Sequence, residues 1–246
     1  MVSVQPLGKF GRNFKIIVQN DSKEDITIKF PFTVQFDIKK SLTGATNQST
    51  FQLFNLAPTT YGSLVKDPLV FDLRLVQFFA DYNPLDAATE LFTGNILESY
   101  TDREKTEVIT YITALEGGFA KREAYSTINL AKGIKVQDVF DNLQNDLTKA
   151  GIGRGQVNLP NHTYPDGLSA SGNTFDLMRD MFGSPARDVY ITDNQVNIIL
   201  TSGILSEEAL VINEKTGLLG IPIKRKNLDE ITTLLEPRAK LNRAVR

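Results

Sequence analysis

Few residues in this 246-residue chain have the type and spacing that chemistry demands. The single histidine, His162, lies in Leu159-Pro160-Asn161-His162-Thr163-Tyr164-Pro165, and Asp166 is near enough in sequence to orient an imidazole acting as a general base. No nucleophile motif accompanies it, and two flanking prolines suit an ordinary loop histidine better. Asp138, Asp141 and Asp146 fall on the polar side of a helical pattern, and Glu207-Glu208 is an adjacent pair. Glycoside hydrolysis needs two carboxyls facing each other across a cleft, whereas acids on the outer side of a helix are more simply a solvated face. Gly151-Ile152-Gly153-Arg154-Gly155 has the glycines of a phosphate loop but follows a helix pattern and has no Gly-Lys-Ser/Thr. Asp188, Asp193 and Asn194 lack the spacing and closing Glu of a calcium loop, and a turn explains them. Phe30, Phe32, Phe36, Phe51 and Phe54 could stack on nucleic-acid bases, but strict alternation makes Phe30, Phe32 and Phe36 core candidates. No catalytic, cofactor-binding or metal-binding residue is assigned. No cofactor is expected, and the expected role is non-enzymatic.

Composition narrows the classes further. With no Cys and one His, thiol nucleophiles, disulfides and the common zinc sites are excluded. Apolar residues make up 41% and charged residues 23%, which suits a globular core. No apolar run approaches the roughly 20 residues of a spanning helix, and the first residues lack a signal-peptide core, so a soluble chain without membrane insertion is expected. The net charge of −2 argues against a protein that grips phosphates. It is unevenly spread. Residues 224–246 hold seven Lys/Arg against three Asp/Glu, a net +4, and residues 1–223 hold 20 against 26, a net −6.

The elements that would position these residues change period along the chain. Ile26, Ile28, Phe30, Phe32, Val34, Phe36 and Ile38 alternate with polar residues, so 26–38 predicts strand with a break at Pro31 and 32–38 as the core strand. Further strands are expected over 50–56, 68–79, 91–100 (with a bulge at Gly94) and 107–115, the last two joined through Asp102-Arg103-Glu104-Lys105. Val136, Val139, Phe140, Leu143 and Leu147 then predict an amphipathic helix stopped by Gly151, and 154–166 reads as a loop. A second helix is expected behind Asn173 or Ser171, with Phe175, Met178, Met181 and Phe182 inward and Gly183 as its end. A hairpin follows over 189–192 and 196–200 around Asp193-Asn194, with short strands at 210–213 and 230–235.

Two stretches in order carry a resemblance. Phe36-Asp37-Ile38-Lys39-Lys40-Ser41, a polar loop, and Ser49-Thr50-Phe51-Gln52-Leu53-Phe54-Asn55-Leu56 resemble the strand, Ser, loop, "x-I-x-I-Y-N-L" opening of the central baseplate hub protein of contractile-tailed phages. Asn213-Glu214-Lys215-Thr216-Gly217-Leu218-Leu219-Gly220-Ile221-Pro222, followed by Thr233-Leu234-Leu235-Glu236-Pro237-Arg238, resembles that family's "E-T-G-L-I-G-x-P … L-L-N-P" block. The resemblance spans most of the chain and extends to the hub part of type VI secretion spikes.

The resemblance implies an α+β, mainly β fold: two tail-tube-like antiparallel β-barrels with an inserted helical segment. The corresponding divisions are 1–125 for the first barrel, 126–184 for the insert with its two amphipathic helices, and 185–246 for second-barrel strands and a basic tail. It implies a homotrimeric ring adapting the hexameric tail tube to the trimeric central spike, with DNA passing through the lumen unbound. The tube and spike proteins are the implied partners, and baseplate wedge or tape-measure proteins are further candidates. The implied location is the virion tail baseplate, assembled in the host cytoplasm. The alternatives are a hexameric tail tube protein and a tail-borne glycan- or peptidoglycan-binding or hydrolase domain. In the family, further strands follow the Leu-Leu-x-Pro segment, whereas nine residues follow Pro237 here. A shortened second barrel, a strand supplied by a partner, or a longer sequence would each account for that.

Overall fold

The computed structural model describes residues 11–42, 47–65, 74–82, 88–201, 206–226, 228–241 and 243–246. Strand accounts for 51% of it and helix for 19%, which places the chain in the mainly β class expected. The N-terminal part is one seven-stranded antiparallel sheet built from β1 (Asn13–Gln19), β2 (Asp25–Lys29), β3 (Val34–Ile38), β4 (Gln48–Phe54), β5 (Leu75–Asp81), β6 (Glu90–Glu104) and β7 (Glu107–Leu115). Their spatial order is β2-β1-β5-β6-β7-β4-β3. A short helix, α1 (Pro58–Leu64), follows β4, with Pro58 in its first turn, where a missing N–H costs no helical hydrogen bond.

The two edge strands of this sheet are neighbours in sequence. Lys29 and Val34 are five Cα steps apart, a reach of at most roughly 19 Å. The edges of a flat seven-stranded sheet would lie about 29 Å apart. The sheet must therefore curl until its edges approach each other. Aromatic contacts agree: Phe36 of β3 meets Phe78 of β5 at 4.5 Å between ring centroids, and Phe51 meets Phe78 at 5.4 Å and Phe92 at 5.6 Å. Ile16, Val18, Leu53, Val76 and Ile112 complete this core, each fully or almost fully buried and contributing about 1.5–3 kcal/mol by leaving water. No closed barrel is present among the described residues, because β2 and β3 are not paired in the sheet.

Edge position corrects one expectation. The alternation over 26–38 is real, and the strand breaks around Pro31. Of its apolar face, however, only Ile28 is buried, while Phe30 is 78% exposed and Phe32 and Phe36 are about 40% exposed. These phenylalanines lie on edge strands and on the turn between them, and even Phe36, whose ring meets Phe78, keeps part of its surface exposed. The predicted bulge at Gly94 also moves: the register slips between Phe78 and Phe79 and between Ile96 and Glu98. Gly94 instead admits the Phe92 ring and the Leu115 carbonyl, which a Cβ would strike. Part of the strand predicted over 68–79 lies outside the described residues.

A second core follows. It is built by α2 (Gly118–Glu123), β8 (Tyr125–Leu130), β9 (Ile134–Lys135), α3 (Val136–Lys149), β10 (Gly153–Val157), β11 (Thr163–Tyr164), β12 (Leu168–Asn173), α4 (Thr174–Phe182), β13 (Arg187–Thr192) and β14 (Gln195–Leu200). The inward residues of α3 are those its period marks: Val136, Val139, Phe140, Leu143 and Leu147 are all at most 2% exposed. They pack with Phe175, Met178 and Phe182 of α4 and with Val189, Ile191, Val196 and Ile198 of the β13–β14 hairpin. Asn173 caps α4 by accepting from the Phe175 and Asp176 N–H groups. Asp193 and Asn194 both take positive φ, the turn geometry that matches strand twist in a two-residue hairpin. The region read as a loop over 154–166 contains β10, which pairs in parallel with β14, and the short β11.

The C-terminal strands form two separate pairs. β15 (Ser206–Leu210) lies parallel to β18 (Arg243–Val245), and β16 (Leu218–Arg225) is antiparallel to β17 (Leu228–Thr233). The basic C-terminal residues are thus partly paired into strand.

Candidate assembly surfaces

A buried carboxylate joins the curled sheet to the second core. Glu116 directly follows β7 and is fully buried. Its Oε2 accepts from Asn47 Nδ2 at 2.6 Å, and its Oε1 accepts from the Asp193 N–H at 2.7 Å and more weakly from Thr192 Oγ1 at 3.4 Å. Asn47 Oδ1 in turn accepts from the Ser41 N–H. Lys40 Nζ lies 2.5 Å from Asp193 Oδ1 and 3.7 Å from Glu116 Oε1, and Lys240 Nζ reaches Asp193 Oδ2 at 3.4 Å. Two carboxylates and two ammonium groups therefore meet where the sheet, the hairpin tip and the C-terminal segment converge. Burial pushes the nearby Lys121 ammonium down from its ordinary range, and Glu116 opposes that shift. Gly117, next along, takes φ +61 against Ile191, where a Cβ would overlap the isoleucine. The arrangement fixes orientation.

With the two bodies clamped, what projects from them becomes the outward surface. Three apolar features stand out. The first is the Phe30, Phe32 and Phe36 edge. The second is the outer end of the β6–β7 hairpin; among the described residues the β5–β6 ladder runs to the pair Leu75 and Asn95, with the Ile96 N–H still donating to the Arg74 carbonyl. There Leu97 and Tyr100 are exposed, and Tyr100 stacks on Tyr111 at 4.9 Å. The third is the β16–β17 ribbon, exposed along nearly its whole length, with Ile221 at 89% and Leu219, Ile223, Leu228 and Ile231 also exposed. A lone two-stranded ribbon is marginal in water, and scattered apolar residues become an interaction surface when they gather like this.

The residues singled out in the sequence do not converge. His162 packs edge-on against Tyr164 at 5.1 Å, and its carbonyl accepts from the Val136 N–H. Asp141 holds Arg154 and Gln137, Asp146 accepts from Ser126 and Lys149, and the Asp138 carbonyl accepts from Asn142 Nδ2. The side chains of Glu207 and Glu208 lie outside the described residues. Gly151 stops α3 at φ +82, and Gly155 lets β10 approach the Asn197 side chain, which accepts from the Gln156 N–H. Asp193 and Asn194 form the hairpin turn, as expected. Sequence reasoning missed the Glu116 cluster, in which Lys40 and Asp193, in direct contact, are 153 positions apart. It also missed Arg74, which is 1% exposed and donates to the Ser63, Leu64 and Val65 carbonyls at the end of α1 and to Asp21.

No protein-family model matches the chain, and no curated protein sequence matches it significantly. Solved structures do. A tail protein from Neisseria meningitidis MC58 is similar over 94% of this chain and 70% of its own, with 10% identity and a TM-score of 0.52. The 43 kDa tail protein of prophage MuSo2 from Shewanella oneidensis is similar over 84% of this chain and 60% of its own, with 8% identity and a TM-score of 0.54. A looser likeness, to the PdpA–VgrG complex of Francisella, covers 96% of this chain and 43% of that one at 10% identity, with a TM-score of 0.48. The fold is therefore one found in phage tail proteins.

Proposed function

We propose that the chain is a non-enzymatic structural component of a phage-type contractile tail. In that reading it forms the trimeric baseplate hub ring, which adapts the hexameric tail tube to the trimeric central spike. The observation that carries it is the likeness to two tail proteins over 94% and 84% of the chain, in a fold whose curled sheet leaves edges and ribbons exposed. Ring assembly makes use of such edges, which would otherwise be a liability. The strand-rich stretches 1–125 and 185–246 would supply the tube-like walls, with 126–184 inserted between them.

The charge supports a conduit. A wall that passes DNA must not hold phosphates, and the net −6 of residues 1–223 suits that task. The tail tube and central spike proteins are the proposed partners, the virion tail baseplate is the proposed location, and assembly would take place in the host cytoplasm. Light scattering with negative-stain imaging of the purified chain tests the reading. Threefold rings with a hole of DNA width are expected. Sixfold rings would transfer the chain to the tail tube, and a monomer that binds or cleaves cell-wall fragments would overturn the structural reading.

A further inference from the structure

We propose that the β16–β17 ribbon of one copy docks on the exposed residues at the outer end of the β6–β7 hairpin of a second copy, a head-to-tail self-contact. The inference rests on the ring reading above and names the surfaces that would make the ring.

The ribbon needs a cover. Ile221, Ile223 and Leu228 are each more than half exposed, and among the described residues β16 and β17 pair only with each other. Its tip carries Lys224, Arg225 and Lys226 on consecutive residues, with Arg225 already held by Glu230 at 3.1 Å. The β6–β7 hairpin has the opposite character. Beside exposed Leu97 and Tyr100 it carries Glu98, Asp102, Glu104 and Glu107 against Arg103 and Lys105. Residues 97–108 are thus net −2, and residues 218–233 are net +1.

Sign selects the pairing. Ribbon against ribbon would oppose net +1 to net +1, and hairpin against hairpin net −2 to net −2. Ribbon against hairpin sets a net +1 against a net −2 over two apolar patches. Such a contact is heterologous, and heterologous contacts close into rings when the rotation allows.

Charge exchange tests it on the full chain, by size-exclusion chromatography with light scattering. Lys224→Glu with Lys226→Glu in the ribbon, or Asp102→Lys with Glu107→Lys in the hairpin, should each weaken self-association by ~10-fold. Both sets in one chain should restore it, which a variant that fails to fold cannot do. Ile221→Asp, at an exposed position, should dissociate the oligomer while leaving the circular dichroism spectrum unchanged. An oligomer indifferent to the single sets, or a combined variant that stays dissociated, overturns the contact and leaves the ring reading standing. A wild-type chain that is monomeric at its highest soluble concentration overturns both.

Discussion

Asn47 donates its side-chain N–H to Glu116 Oε2 at 2.6 Å, and both residues are at most 4% exposed. The bond ties the residue before β4 to the end of β7, and the other oxygen of the same carboxylate holds the tip of the β13–β14 hairpin. Glu116→Gln keeps the size but sets an amide N–H₂ against groups that are themselves donors. The expected cost is about 2–3 kcal/mol, and Glu116→Ala should cost about 3–5 kcal/mol by leaving buried partners without their acceptor. Hydrogen exchange should accelerate at residues 116–118 and 192–195 well before it does in the α3 core. Unchanged exchange at the hairpin tip would remove Glu116 from the role of clamp.

Arg74 and Asp21 form an ion pair at 2.8 Å whose two halves should differ sharply in worth. The arginine side chain is 1% exposed, while the aspartate is 65% exposed. Arg74 also supplies donors to three carbonyls at the C-terminal end of α1, where a helix leaves acceptors unsatisfied and favours a cation. Arg74→Met should destabilise by about 2–4 kcal/mol in urea unfolding. Asp21→Asn should cost about 0–1 kcal/mol, since an exposed partner is screened by water. Equal losses from the two substitutions would contradict the capping role.

How much of this was legible beforehand depends on how local the cause is. The inward face of α3, the Asn173 cap and the Asp193-Asn194 turn were all readable, because each is set by residues within a few positions of one another. The alternation over 26–38 correctly announced strand, but alternation cannot say whether an apolar face is covered. That depends on β2 and β3 being the two edges of a sheet ordered β2-β1-β5-β6-β7-β4-β3. β10 was missed for a related reason: Gly153-Arg154-Gly155-Gln156-Val157 has little strand propensity, and its place is fixed by a parallel partner some forty positions later. Pro58, just past the strand expected over 50–56, opens the short helix α1, which no period in the sequence announces. The Glu116 cluster carried no signal at all, since Lys40, Asn47, Glu116 and Asp193 are unremarkable until the fold brings them together. The proposed hub role came from the order of motifs.

Asp146 predicts an acid dependence. Its carboxylate accepts from Lys149 Nζ at 2.8 Å and from Ser126 Oγ at 2.7 Å, and these bonds, led by Lys149, hold its pKa below the ordinary carboxylate value. A carboxyl whose folded pKa is depressed adds stability above its unfolded pKa and loses that contribution as pH falls through the folded value. Ser126→Ala removes one of the two bonds. The Asp146 titration, followed by side-chain NMR, should then move up toward the ordinary carboxylate range, and acid unfolding should begin at a higher pH. A titration that does not move would show that Lys149 alone sets it.

Tyr111 gives the opposite edge of the pH profile and probes the hairpin proposed to receive the ribbon. Its hydroxyl donates to Glu104 Oε1 at 2.7 Å across the β6–β7 hairpin, and its ring stacks on Tyr100. That hydrogen bond is the main cause that pushes the phenol up from 10.0 to about 12, with partial desolvation and the negative charge of Glu104 adding to it. A raised phenol pKa means the folded state favours the protonated ring. Its contribution is complete below the unfolded value near 10 and is lost as pH rises through the folded value. Glu104→Gln keeps an acceptor but removes the charge, so ultraviolet absorbance should show Tyr111 ionising closer to the ordinary tyrosine range. Asp102→Lys removes only the smallest of the contributing charges and should leave most of the shift in place. If Glu104→Gln leaves the Tyr111 titration where it was, the carboxylate does not control the phenol, and the cross-strand bond cannot be what orders this end of the hairpin.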